Sequence, residues 1–552
     1  MSSTENNNPS DVATRSFIEA DVAEDIRAQR YSRPICTRFP PEPNGYWHLG
    51  HVLAITINHS TAKAFQGQFK LRFDDTNPIR EKQEFVDAAL EDLAWLGIQP
   101  DVAPIYASDF FEALYQIAER LVMSGDAYVC DLSPDEAKEL RGDYHRPGQP
   151  SPYRDRSCEE NLSLLRAMRR GEFKPGEKSL RARIEVNSPN MNLRDPVLLR
   201  ILHEAHYRQG SRWTIYPSYD FAQSFNDALD GVTHSLCSSE FISHRPLYDW
   251  LLEKACIEEP PRQIEFGKIQ LEGTVLGKRH IRSLIENSVL SGWDDPRLLT
   301  VRGMRRRGFP STAIVTFCRQ VGVSKHNRSV NARQLEQTVR DELNRNAHRR
   351  MAVIKPLRLV LENLPKGEVL TATVRNNPID PSAGERRIQM GRELYIERDD
   401  FMCDPPRKYN RLAPGKEVRL RGSVVIKCTG YETDPYTHAI TCVRATYDAD
   451  TLGKNPADGR KVRGVIHWVS ADHGINITVN FYQPLLLESG ELNPESHSAA
   501  SALAEPGVET LPAETCVQFE RIGYFAIEAR ADTPTPVFNQ TVTLRDSWNL
   551  KK

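Results

Sequence analysis

The chain has 552 residues, 39% of them hydrophobic, and its 72 basic and 74 acidic side chains leave a net charge of −2. That length predicts three to five domains at roughly 150 residues each, with room for more than one core. Mean hydropathy is −0.52. No apolar run approaches the ~18 residues of a membrane-spanning helix, and residues 1–10 are too polar for a secretory leader. Ten cysteines are scattered without a single C-x-x-C pair, which argues against a zinc ribbon and a disulfide framework and fits a cytoplasmic protein.

Residues 1–25 are polar and read as a flexible tail. Residues 35–39 read as a strand that enters a turn rich in proline and glycine at 40–45. A helix is expected over 48–65, stopped by Gly67, and a second strand over 69–73. Strand, loop, helix and strand in that order predict a βαβ unit and a parallel sheet. Phe85, Ala89, Leu93 and Leu96 recur at helical spacing before Gly97. Asp109 and Glu112 form a capping-box pattern ahead of Leu114, Ile117 and Leu121. Residues 143–157 read as a long loop. Between 301 and 350, twelve Lys/Arg face only Glu336, Asp341 and Glu342, for a local charge of +9. That charge marks either a solvated helical surface or a phosphate-contacting face. The last two hundred residues alternate and are rich in β-branched side chains, as expected of two β-barrels. Residues 485–515, rich in Ser, Ala, Glu and Pro, read as a mobile insertion.

The chemistry starts at His48-Leu49-Gly50-His51, where a helix opens after the proline-rich turn. A helix N-terminus offers backbone N–H groups and partial positive charge to a triphosphate, and two imidazoles can stabilise charge on an α-phosphate. For an isolated match a helix-capping or core pair of histidines is the commoner explanation, and the strand–turn–helix setting makes the nucleotide reading preferable here. Gly273 to Arg279 imitates a phosphate-binding loop but has one residue too few between its glycines. What remains is a mobile loop with a phosphate-binding lysine, Lys278.

Several further motifs stand in order. They include Arg38-Phe39-Pro40-Pro41-Glu42-Pro43-Asn44-Gly45, Leu71-Arg72-Phe73-Asp74-Asp75-Thr76-Asn77-Pro78, Tyr219-Asp220-Phe221, Thr233-His234-Ser235-Leu236-Cys237, Gly292-Trp293-Asp294-Asp295-Pro296-Arg297 and Gln518-Phe519-Glu520-Arg521. Together with the His48–His51 motif they make residues 26–548 resemble a class I aminoacyl-tRNA synthetase of the glutamate/glutamine branch, in its glutaminyl form. The resemblance implies a multidomain fold, α/β plus all-β. A Rossmann-like catalytic domain (26–108 and 211–267) would be split by an acceptor-stem insertion (109–210). A signature loop and helical domain (268–346) would follow, then anticodon-binding β-barrels at 347–470 and 471–548.

The same resemblance implies ligation of glutamine to tRNA(Gln), with ATP and Mg2+ as substrate and no structural zinc, by a monomer. His48, His51 and Lys278 would be catalytic. Glu42, Pro43, Asn44, Leu49, Gly50, Ala54, Ser238, Lys268, Ile269, Leu276 and Gly277 would join them around ATP. Arg38, Asp74, Tyr219, Cys237 and Gln263 would hold glutamine. Arg349, Arg411, Arg419, Arg421, Gln518 and Arg521 would read the anticodon. The signature loop departs from the family pattern at Gly277, where serine is usual, and Tyr144 and Ser243 replace a leucine and an aspartate. A tRNA-binding relative with altered activity and a glutamate-charging enzyme of the same branch are the alternative readings.

Overall fold

The computed structural model describes residues 15–272, 274–275, 277–528 and 535–544. The chain divides into two compact units, Met1–Leu271 with Cys318–Val330, and Glu272–Phe317 with Asn331–Lys552.

The first unit opens with a helix, α1 (Phe17–Arg27), where a tail was expected. Ser16 and Glu19 form a reciprocal capping box, and Ile18 and Val22 are fully buried. Its acidic composition hides this two-residue apolar stripe. Residues 1–14 of the expected tail lie outside the described residues. There follow β1 (Cys36–Phe39), α2 (Leu49–Ala64), β2 (Gln68–Phe73), α3 (Gln83–Trp95) and β3 (Ile105–Tyr106). The three strands pair in parallel in the order β1-β2-β3, as the βαβ reading requires.

Next comes α4 (Phe111–Met123), which begins without a side-chain cap, so the expected capping box at Asp109 does not form. Ser108 and Asp109 are drawn into other bonds: Ser108 Oγ donates to Asp75 Oδ2 at 2.7 Å, and Asp109 accepts from Arg208 at 2.9 Å. An antiparallel sheet is inserted here, with β4 (Ala127–Cys130), α5 (Pro134–Arg141), α6 (Cys158–Arg169), β5 (Ser179–Ala182), β6 (Val197–Ile201) and β7 (Ile215–Pro217). Since β7 pairs with β6, the insertion extends past the expected boundary at 210. Leu114, Leu121, Val129, Leu180, Leu199 and Trp213 share its core.

The parallel layer resumes with α7 (Tyr219–Leu229), β8 (His234–Ser238), α8 (Arg245–Lys254) and β9 (Arg262–Phe266). β8 pairs with β9 in parallel, and the Thr233 amide donates to Cys36 O at 3.0 Å, which sets β8 beside β1. β10 (Ile269–Glu272) follows.

The second unit holds α9 (Lys278–Glu286) and α10 (Val301–Arg306). After α11 (Ser311–Val321) come β11 (Arg328–Asn331), which pairs with β10, and α12 (Ala332–Asn346). The basic run at 301–350 is largely engaged within the protein. Arg305 pairs with Glu514, Arg306 with Glu528 and Asp294, and Arg307 with Glu336. Those three arginines therefore do not form the open phosphate-contacting face that the local charge allowed.

Two seven-stranded sheets and a separate two-stranded pair complete the chain. Their strands are β12 (His348–Arg350), β13 (Ala352–Val353), β14 (Pro356–Leu361), β15 (Leu370–Arg375), β16 (Glu385–Met390), β17 (Glu393–Glu397), β18 (Glu417–Leu420), β19 (Val425–Thr433) and β20 (Ile440–Asp448). Then come β21 (Val465–Ile466), β22 (Val469–Ser470), β23 (Ile475–Tyr482), β24 (His497–Ala504), β25 (Cys516–Phe519), β26 (Gly523–Ile527) and β27 (Val537–Thr543). One sheet runs β21-β18-β19-β20-β14-β17-β22 and the other β12-β25-β26-β27-β23-β24-β13. In each, the two edge strands are neighbours in the chain, separated by His467 and Trp468 in the first and by Met351 alone in the second. The sheet must curl until its edges meet, so both are closed barrels.

β12 and β13 belong to the second barrel, which corrects the expected 347–470 boundary. The expected mobile insertion at 485–515 contains β24, which pairs with β23 over eight residues.

Candidate active site

At the N-terminus of α2, His48 is the capping residue and its Nδ1 accepts from the Gly50 amide at 3.1 Å. Reciprocally, His51 Nδ1 accepts from the His48 amide at 3.1 Å, and the two rings lie 4.0 Å apart. With both Nδ1 atoms acting as acceptors, each neutral ring carries its proton on Nε2. Gly50 is required locally, because a Cβ there would come 2.9 Å from His48 Cε1. Leu49 and Pro43 are buried, Ala54 is half-buried, and the Asn44 side chain donates to Glu42. The expected nucleotide residues of this turn are thus gathered around one helix end.

The expected amino-acid residues gather at the strand ends. Arg38 on β1 is fully buried, and Asp227 on α7 accepts from its Nε and Nη2, each at 2.9 Å. Asp227 also accepts from Arg72 and from the Tyr248 hydroxyl at 3.0 Å. Burial alone would raise the Asp227 carboxyl, but the two guanidiniums hold it below the usual range.

Asp74 follows β2. Its Oδ1 is buried and, among the described residues, has no hydrogen-bond partner. Burial, reinforced by Glu42, pushes its pKa up to about 6. Tyr219 lies within electrostatic reach of Arg38, Cys237 and Asp74, and stacks on Phe241 at 5.0 Å. Burial pushes the Cys237 thiol up to about 12, so it stays protonated. Gln263, opposite Ser235 in the β8–β9 register, donates to Phe241 O at 3.2 Å and Glu265 at 3.0 Å.

A third group lies just past β8 and β9. Ser238 donates to Glu240 at 2.8 Å, and Lys268 pairs with the same carboxylate. The Lys268 amide and the Ser239 hydroxyl both donate to Asn327 Oδ1 at 2.8 Å. Ile269 is half-buried on β10. Leu276 lies outside the described residues. Gly277 caps α9 with φ −69°, and a Cβ built on it meets nothing within 4 Å. Lys278 is the first residue of that helix.

On the barrels, Arg521 forms a bidentate pair with Asp400, both bonds at 2.6 Å, and Arg411 Nε lies 3.5 Å from the same carboxylate. Arg421 pairs with Glu520 at 2.6 Å. Arg419 donates to the carbonyls of Ser423, Thr451 and Lys454. Gln518 donates to the Tyr524 hydroxyl at 2.8 Å.

Arg349 corrects the expectation of an open base reader. Only 4% exposed, it donates to Ala347 O and to Asn344 O, capping the C-terminus of α12. It sits opposite Gln518 in the β12–β25 register of the second barrel, while the Arg521–Asp400 and Arg421–Glu520 pairs link the two barrels.

The motif reading left out four residues on which this arrangement depends: Asp75, Asp227, Glu240 and Asp400. Asp227, Glu240 and Asp400 are acidic partners of residues it did name, and Asp75 holds Ser108 and Tyr207 instead. Asp75 lies inside a quoted motif, whereas nothing in the local sequence distinguishes the other three.

A parallel-strand layer with imidazoles at a helix N-terminus, joined to barrels lined with arginine, defines a nucleotide-using enzyme of the α/β class with an RNA-binding extension. The family of class I tRNA synthetases (E and Q) matches through its catalytic domain at residues 34–345 and through its anti-codon binding domains at 347–448 and 465–528. The chain belongs to this family.

It is 45% identical to a glutamine--tRNA ligase of Clostridium kluyveri over 99% of each chain, and 45% identical to one of Vibrio vulnificus over 98% of each. Among solved structures, a glutamate tRNA ligase from Elizabethkingia meningosepticum aligns with 57% of this chain and 70% of its own, at 19% identity and a TM-score of 0.42.

Proposed function

We infer that the chain ligates glutamine to tRNA(Gln) through a glutaminyl-adenylate. The glutamine carboxylate attacks the α-phosphorus of ATP, which enters with Mg2+ as substrate. The bond to the bridging oxygen breaks and pyrophosphate leaves. A hydroxyl of the terminal ribose of the tRNA then attacks the acyl carbon and AMP departs. His48 and His51 supply Nε2–H donors for charge on the α-phosphate, and Lys278 receives charge on the departing pyrophosphate.

The observation that carries the choice of amino acid is the charge balance of the pocket. Asp74 Oδ1 offers an unpartnered acceptor to an ammonium. Arg38 is already paired with Asp227, and Cys237 is a neutral thiol. A γ-carboxylate there would lose water without gaining a cation, whereas a γ-amide carries no charge to desolvate. Identity to glutamine--tRNA ligases along nearly the whole chain supports the same reading.

Arg411, Arg419, Arg421, Gln518 and Arg521 serve as anticodon readers, since unstacked loop bases are recognised by edge contacts and stacking on guanidinium planes. Among the described residues no helix is long and apolar enough to cross a membrane, and the enzyme acts as a cytoplasmic monomer. The test is pyrophosphate exchange with tRNA(Gln) present. Exchange with glutamine at least 100-fold above that with glutamate is expected. Equal exchange with glutamate, or tRNA binding without exchange, would overturn the assignment.

A further inference from the structure

We propose that Asp75 is a positioning residue that fastens the inserted domain to the loop carrying Asp74, and thereby sets the affinity for glutamine. Its carboxylate is completely buried. Oδ1 accepts from the Ser108 amide at 2.8 Å, and Oδ2 accepts from the Ser108 hydroxyl at 2.7 Å and the Tyr207 hydroxyl at 3.3 Å. The Asp75 carbonyl lies 2.8 Å from His206 Nε2. His206 Nδ1 accepts from the Arg208 and Gln209 amides, so Nε2 is the protonated nitrogen and donates to that carbonyl. Arg208 donates to Ser108 Oγ at 2.8 Å and to Asp109 at 2.9 Å, and its guanidinium lies 3.6 Å from the centre of the Tyr106 ring.

These donors come from two places far apart in sequence. Ser108 lies where the chain enters the insertion, and residues 206–208 lie in the connection between its last two strands, β6 and β7. A single carboxylate therefore ties the start of the inserted domain and its β6–β7 turn to the loop after β2. Asp74, one peptide bond away, has no partner of its own for Oδ1. Its direction depends on the backbone that Asp75 fixes, and displacement of a substrate-orienting group by about 1 Å is costly. The inference rests on the reading of Asp74 as the acceptor for the glutamine ammonium.

Three variants test it in tRNA-dependent pyrophosphate exchange: Asp75→Asn, Tyr207→Phe and the double variant. The first replaces a carboxylate oxygen with an NH2 that faces the Ser108 and Tyr207 donors. Asp75→Asn should raise KM for glutamine about 10- to 30-fold with kcat at saturating glutamine and the Kd for tRNA within about twofold of wild type. Tyr207→Phe, which alters only the β6–β7 turn, should raise the same KM about two- to fivefold. Adding Tyr207→Phe to Asp75→Asn should have no further effect, because the shared bond is already lost. Wild-type KM for glutamine in both single variants would overturn the proposal. So would equal losses in kcat and tRNA affinity with KM unchanged, as for a scaffold contact. Absence of glutamine exchange in the wild-type control would instead refute the functional assignment.

Discussion

At Asp74 burial and chemistry oppose each other. The carboxylate has to be charged to attract an ammonium, yet burial and Glu42 hold its pKa at about 6 in the unliganded protein. Neighbouring Asp75 is pushed up to about 7, mainly by burial. The charged forms prevail above that range and are lost as pH falls through it. KM for glutamine should therefore be flat between pH 7.5 and 8.5 and rise by up to about tenfold per unit below 6. Asp74→Asn should raise KM at every pH and abolish the rise, which a pH series of exchange kinetics would read directly.

The signature loop offers a second residue-scale test. Gly277 occupies an ordinary backbone conformation in open space, so Gly277→Ser introduces no strain. Activation should be unchanged or improve two- to tenfold, the worth of about one hydrogen bond. Lys278→Ala should instead lower kcat about 10- to 100-fold and leave tRNA binding intact, because its charge serves the departing pyrophosphate. Single-turnover rates would separate the two variants.

Among the elements, α12 shows how a family-matched arginine can hold the fold together. Arg349 closes the C-terminal carbonyls of α12, where a cation also meets the negative end of the helix dipole. Arg349→Ala should cost about 1.5–3 kcal/mol of stability, read as a lower midpoint in urea. Arg411→Ala, which removes the looser of the two arginines on Asp400, should lower that midpoint by less and raise KM for tRNA(Gln). The sequence could not separate the two roles, because both residues are arginines in the expected order.

Elsewhere the legibility of the chain followed the strength of local signals. The turn after β1, the start of α2 and the stop at Gly67 were readable because proline, glycine and helix periodicity act over a few residues. β24 was not: His497–Ala504 is mostly Ser and Ala, poor strand formers, and it is a strand because β23 pairs with it. The missing cap of α4 has a comparable cause. Asp75, more than thirty residues upstream, takes the hydroxyl of Ser108, and no local pattern reports that. In the site, the motif order named residues that the fold gathers at the start of α2 and at the ends of the parallel strands. Their counter-charges on other elements, Asp227 for Arg38 and Glu240 for Lys268, became visible only in three dimensions.

Across the whole molecule, the carboxylate of Asp400 joins the two barrels. It lies in the first, is fully buried, and holds Arg521 of the second together with Arg411 of its own. Asp400→Asn should cost about 2–3 kcal/mol, below the ~3–5 of a fully buried pair, because both arginines keep part of their hydration. It should also raise KM for tRNA(Gln) by loosening at once the two arginines proposed to read the anticodon. Urea unfolding and aminoacylation on the same sample check both outcomes; an unchanged KM would place anticodon reading elsewhere.

The closure of the second barrel also imposes an order on the birth of the protein. Its seam strands, β12 and β13, leave the ribosome ahead of the entire first barrel, while their partners in β24 and β25 come after it. The first barrel can shut once residue 470 has emerged. The second must wait for β27, roughly 190 residues beyond β13, or about 10–40 s at ordinary rates of synthesis. Through that interval the five residues of β12 and β13, with open strand edges, depend on whatever shields them. Slowing translation just beyond the first barrel should therefore lower the soluble yield of the full chain, while a chain ending after residue 470 should be indifferent to the delay.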